Sequence, residues 1–159
     1  MTDVPSLVLP LLAQVFWTLM VLCGLGVTRY RALRHRRVAD LTRLSISQEG
    51  WPDDVRKMSN NFDNQFQIPV LFYIVCILAT FMETAGPGVT ALAWFFVVVR
   101  VAHTAVHVTT NYVPLRFGFY LGSVAALVAM FVMTAASPKP SGMPRGRPCV
   151  RRRASRRCR

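Results

Sequence analysis

The sequence predicts an all-α integral membrane protein, a bundle of four spanning helices. Composition is the first reason. Of 159 residues 53% are hydrophobic and 16% charged, against about 25% charged in an ordinary soluble domain. A chain of this length forms one domain and cannot hide that much apolar surface from water. The second reason is where the charge lies. Of nineteen Lys and Arg, eight fall between Arg29 and Lys57 and nine between Lys139 and Arg159, leaving only Arg100 and Arg116 elsewhere. A nucleic-acid binder needs a basic face, so the net charge of +12 points to no nucleic acid. The expected partner is the lipid bilayer. The third reason is four apolar tracts, each long enough to cross about 30 Å of hydrocarbon, which takes roughly 20 helical residues.

The first tract runs from about Ser6 to Val27, the second from Asn64 to Met82, the third from Val89 to Thr110, and the fourth from Phe117 to Ala136. Gly86, Pro87 and Gly88 punctuate the join after the second, and Pro114 the join after the third. The first tract does not read as a cleaved leader. It has no positive n-region, and Arg29, Tyr30 and Arg31 follow it where small residues would mark a cleavage site. Trp17, Trp94, Tyr112 and Tyr120 are available as interfacial anchors.

The eight positives of the first loop place it in the cytoplasm, and an even number of spans then puts both termini on the opposite side. The tail carries nine positives that the same rule would keep inside. From Ser137 to Arg159 it is low in complexity and without apolar periodicity, so disorder is expected. The chain therefore divides into a membrane domain, 1–136, and a basic tail, 137–159. The tail reads either as an anionic-lipid-binding extension or, preferably, as a translation artefact of a GC-rich gene. Cys23, Cys76, Cys149 and Cys158 show no metal or redox spacing.

Ionisable groups inside spans are costly and usually functional. At about 100° per residue, Arg100, His103, His107 and Asn111 fall at about 0°, −60°, −20° and +20°, with Thr104 beside them. They form one polar stripe on the third span. Such a stripe can glue helices by hydrogen bonds or line a site. Asn60, Asp63, Asn64 and Gln67 share an arc of about 100° at the start of the second span, with Asn61 apart. One such residue caps a helix; four over two turns exceed that need. Pro69 is expected to bend the span there and free a carbonyl. Topology brings Asn60 to Gln67, His107 to Asn111, Arg116 and Tyr120 to one membrane face, a polar cavity with a basic rim suited to an anion.

The run RVAHTAVHVTTNYVPLRFGFY, Arg100 to Tyr120, resembles the corresponding segment of the family of membrane-associated proteins in eicosanoid and glutathione metabolism, MAPEG. That family includes microsomal glutathione transferases and prostaglandin E synthase. The resemblance rests on R-x-x-H-x-x-x-H, then P-x-R with an aromatic residue four positions on. NNFDNQFQIPVLFY looks like the family's N-x-x-E motif with its proline. The likeness spans Pro5 to about Ala136 and implies a homotrimer, with glutathione as co-substrate between subunits on the cytosolic side. By position, Arg116 would face the glutathione sulfur and favour thiolate over thiol. Tyr120, one turn on, would contact the bound peptide as its catalytic companion. Asn60, Asn64, Gln67, Arg100, His103 and His107 are the candidate glutathione-binding residues. The sequence departs from the family pattern at Gln67 (glutamate expected), Asp63 (a basic residue), His107 (tyrosine) and Phe117 (a small hydroxyl residue). The spacing to Pro69 is also shorter. The whole looks like a divergent bacterial branch, placed in the inner membrane.

Two functions follow. One is a thiol-dependent transferase or peroxidase acting on lipophilic electrophiles. The other is a non-enzymatic bundle, or a haem or metal protein using His103 and His107 at i, i+4, with Asp63 as a third ligand. For the tail, a truncation after Ala136 is expected to insert and assemble like the full chain. Gel filtration in detergent checks this, and loss of the folded oligomer would refute it.

Overall fold

The computed structural model describes residues 6–36, 38 and 50–137. Most of the first loop, and the tail beyond Ser137, lie outside the described residues. Among those described the chain is entirely helical: α1 (Val8–Arg34), α2 (Asp53–Asn64), α3 (Ile68–Phe81), α4 (Pro87–Val108) and α5 (Val113–Ala136). Four segments are long and apolar enough to cross a bilayer, with α2 and α3 together forming the second. The chain is a multi-pass membrane protein of four spans.

Proline sets the boundaries. Pro69, Pro87 and Pro114 each sit in the first turn of a helix, where the missing N–H costs nothing. Pro114 therefore opens α5 and does not merely end the preceding join, so α5 starts four residues before the expected Phe117. α1 runs on past the expected Val27 to Arg34, with Arg31 and Arg34 in a last turn whose dipole favours cations. Its 27 residues extend about 40 Å, roughly 10 Å more than the hydrocarbon needs. A helix does not stop where the lipid does.

The second span differs most from expectation. Pro69 has no N–H to offer the carbonyl of Gln65, so the helix begun at Asp53 cannot run through. It ends at Asn64 in two tight bonds, Gln65 N–H to Phe62 O (2.9 Å) and Phe66 N–H to Asp63 O (3.0 Å). After the irregular Gln67 it restarts at Ile68. The 14 residues of α3 cover only about 21 Å. α2 is the polar continuation, packed along the C-terminal half of α1. There Arg29 donates to Ser59 Oγ at 2.8 Å and lies 5.4 Å from the centre of the Trp51 ring.

At the opposite end Ser6 Oγ donates to the carbonyl of Ala85 and accepts from Thr90 Oγ1. Glu83, at φ 56°, closes α3: the N–H of Thr84 reaches Ala79 O at 2.9 Å and that of Glu83 reaches Thr80 O at 3.2 Å. Between the two ends the core gathers Phe72, Cys76, Ala79, Ala93, Phe96, Ala126 and Met130 from α3, α4 and α5. The alanines let backbones approach, the usual source of helix affinity where lipid removes the hydrophobic drive. Phe72 and Phe96 stack at 4.3 Å and 3°, and neither ring is exposed. The outward faces carry Leu9, Phe16, Leu19, Val98, Val128 and Phe131, as a lipid-facing surface should.

Phe96→Ala should leave a cavity under the Phe72 ring and cost about 2–4 kcal/mol. Thermal unfolding in detergent measures it; a melting temperature equal to wild type would show that the core closes over the gap.

Candidate functional site

The stripe on α4 divides into two parts. Arg100, His103, Thr104 and His107 are all buried, as periodicity implies. Arg100, with no exposed surface, donates through Nη2 to the main-chain carbonyl of Asn64 at 2.7 Å. That carbonyl lost its helical partner when α2 ended, and a guanidinium on the last carbonyl of a helix also meets the negative end of its dipole. Thr104, one turn on, accepts from the side chains of Trp17 (3.3 Å) and Gln65 (3.2 Å). These two residues hold helices together. His103 and His107 lie toward the start of α5, their rings 5.8 Å apart and inclined at 61°.

Beside them opens a cleft of about 270 Å³ lined by Asn64, His103, Val113, Arg116, Phe117 and Tyr120. Arg116 stands in the first turn of α5, where the helix dipole adds positive character. Its Nη1 donates to Asn111 Oδ1 at 2.9 Å and lies 3.3 Å from His107 Nε2. Asn111 follows the end of α4 in a left-handed conformation, φ 49°, a conformation that asparagine tolerates better than most residues. Its N–H reaches back to Val106 O at 2.7 Å. The turn that ends α4 thus aims the residue that holds Arg116. Val113 and Phe117 are more than half exposed, so the cleft has a polar floor and an apolar lip.

The candidate residues separate accordingly. Asn64, His103, Arg116 and Tyr120 line one cleft, from three different helices. His107 is buried behind Arg116, and Arg100 is buried under Asn64. Asn60 and Gln67 are exposed and outside the lining. Asn60, Asp63 and Asn64 keep their shared arc on the unbroken α2, whereas Gln67, beyond the break at 65–67, no longer follows the same helical register. Asn61, which stood apart, is fully buried, and its side-chain atoms have no hydrogen-bond partner among the described residues. Gln65 and Gln14 were missed altogether. Their signal was the one applied to ionisable groups, a polar side chain inside an apolar tract.

The MAPEG sequence model matches residues 7–136, most of the chain. The chain belongs to the MAPEG family. No curated protein and no solved structure is significantly similar to it. The MAPEG match covers every helix that contributes to the cleft, and it leaves the basic tail outside. A metal centre is poorly served here. Among the described residues no three His, Cys, Asp or Glu side chains converge, Asp63 is exposed, and a guanidinium stands against His107 Nε2.

Asn111→Ala should be less stable than Asn111→Gly by about 1 kcal/mol, because alanine resists the left-handed region that glycine accepts. Both lose the bond to Arg116. Melting curves of the two variants in detergent test this; equal values would mean that Asn111 does not need its conformation.

Proposed function

We propose that this MAPEG protein is a glutathione-dependent transferase or peroxidase acting on lipophilic electrophiles. The observation that carries the reading is Arg116 at the start of α5, in a cleft whose floor is polar and whose lip is apolar. In this reading the protein is a homotrimer in a bacterial inner membrane, with its first loop and clefts facing the cytoplasm. Asn60 and Gln67, exposed on a single chain, are then where a neighbouring subunit would meet the ligand. The MAPEG family is generally associated with glutathione.

The lining residues fit an anionic thiol. Arg116 commits one Nη1 to Asn111 and His107, and a guanidinium has five N–H donors. Its remaining donors are free to serve an anion. His103 Nδ1 is buried with no partner among the described residues, and Asn64 adds an amide. Glutathione supplies the nucleophilic sulfur. Arg116 and the N-terminus of α5 hold negative charge on that sulfur, so the thiol gives up its proton on binding. In a transferase step the sulfur then forms a bond to the electrophilic carbon, and the leaving group departs with its electron pair. Tyr120, one turn along the same helix face, orients the peptide by packing or hydrogen bonding. Val113 and Phe117 offer the apolar partner a path from the bilayer.

Each pKa unit of thiol depression corresponds to about 1.4 kcal/mol of thiolate stabilisation. Thiolate absorbance in the ultraviolet should appear when glutathione is added to wild type at neutral pH. Arg116→Lys, keeping the charge without the planar fork, should retain part of it. Arg116→Ala should lose most of it while the bundle stays folded. A wild type without thiolate signal, or an alanine variant that matches it, would overturn the reading.

A further inference from the structure

A second buried polar group lies behind the cleft, in the space between α1, the break at 65–67 and α4. Gln14 of α1 has no exposed surface, Gln65 is 1% exposed and Thr104 6%. Gln14 Nε2 donates to Gln65 Oε1 at 3.2 Å, and Gln65 Nε2 donates to Thr104 Oγ1 at 3.2 Å. Trp17 Nε1, from the next turn of α1, donates to the same Thr104 oxygen at 3.3 Å. None of these four residues lines the cleft.

Their place in the chain gives them a use. Asn64 and Gln65 are consecutive at the end of α2, where the helical ladder stops and Pro69 has no N–H for the carbonyl of Gln65. Asn64 is held by its carbonyl to Arg100, and Gln65 by its side chain to Thr104, four residues further along α4. One face of α4 therefore clamps two neighbouring residues of the break. Asn64 alone of the two projects into the cleft. α1 contributes nothing to the lining, yet through Gln14 it fixes which way the Gln65 amide points. A second tie from α1, Thr18 Oγ1 to Tyr73 OH at 3.3 Å, holds the other side of the break.

We propose that Gln65, and through it Gln14, are positioning residues for the cleft. The chain Gln14–Gln65–Thr104 sets the direction of Asn64, so that a helix with no contact to the ligand controls how the ligand is held. The inference deepens the thiol-binding reading and rests on it for its ligand, though the placement of Asn64 can be read without one.

Gln65→Met and Gln14→Met preserve length while removing the hydrogen bonds. Thr104→Val is isosteric and lacks the acceptor, whereas Thr104→Ser keeps it. Two quantities are measured on detergent-purified full-length protein. The first is the affinity for glutathione sulfonate, an unreactive anion that replaces the thiolate, by titration calorimetry. The second is the alkylation rate of a cysteine introduced as Asn64→Cys after the four native cysteines are replaced by alanine. Gln65→Met and Thr104→Val should each weaken sulfonate binding about three- to tenfold, as expected for one or two bonds inside a membrane bundle. The alkylation rate at position 64 should change with them. Gln14→Met should act in the same direction, and Gln14→Met with Gln65→Met should be no worse than Gln65→Met alone. Thr104→Ser should behave as wild type. Affinity and alkylation rate unchanged in Gln65→Met would overturn the proposal. So would losses that merely follow a fall in melting temperature. If wild type fails to bind the sulfonate, the thiol reading fails, and the alkylation rates still decide whether Gln65 places Asn64.

Discussion

A helix interrupted inside a membrane leaves carbonyls that lipid cannot satisfy, and one guanidinium meets that need here. The 2.7 Å bond from Arg100 to the carbonyl of Asn64 occupies a group that water would otherwise have to reach. Because Arg100 is fixed on α4, the end of α2 is fixed to α4 as well. Asn64 then stands beside His103, and both face the start of α5. In this packing Arg100, whatever it does for a ligand, caps a helix end through Nη2.

The cleft carries an imbalance of charge. Arg116 lines it and Arg100 lies beneath it, while none of the lining residues is acidic. Asp53, Asp54, Asp63 and Glu83, the described carboxylates, are all exposed. Asn64, His103, Tyr120 and the turn at Asn111 supply neutral dipoles to a site with a positive bias. In the thiol-binding reading such a site would discriminate by charge before shape, since a cation without a carboxylate partner favours an anion over a neutral isostere.

The four spans were legible because hydrocarbon thickness imposes a length that composition reveals directly. The burial of Arg100, His103, Thr104 and His107 was legible because α4 is unbroken, so angular arithmetic holds along it. The same arithmetic misled at Gln67, where Pro69 interrupts the helix and positions on either side of the break no longer share one register. Pro114 was read as punctuation although its place in a first turn makes it part of α5. Gln14 and Gln65 stand out only as polar side chains in or beside an apolar tract, and what gives them a role, their partners, lies far away in sequence. No local pattern records a bond between residues 14 and 65.

The shortness of α3 has a consequence for ionic strength. Its fourteen residues reach only about 21 Å into a layer about 30 Å thick. Measured along α3 from the opposite edge of that layer, the polar break and the cleft that it adjoins would come below the level of the headgroups. Mobile ions screen charges over about 8 Å in physiological salt, but only where electrolyte can surround them. In the thiol-binding reading, an anion held at Arg116 would lie largely beyond that atmosphere, whereas the basic end of α1 at Arg31 and Arg34 would stand within it. In that reading salt would act on the encounter between an anion and the protein's surface, and much less on the grip of the cleft once the anion is inside.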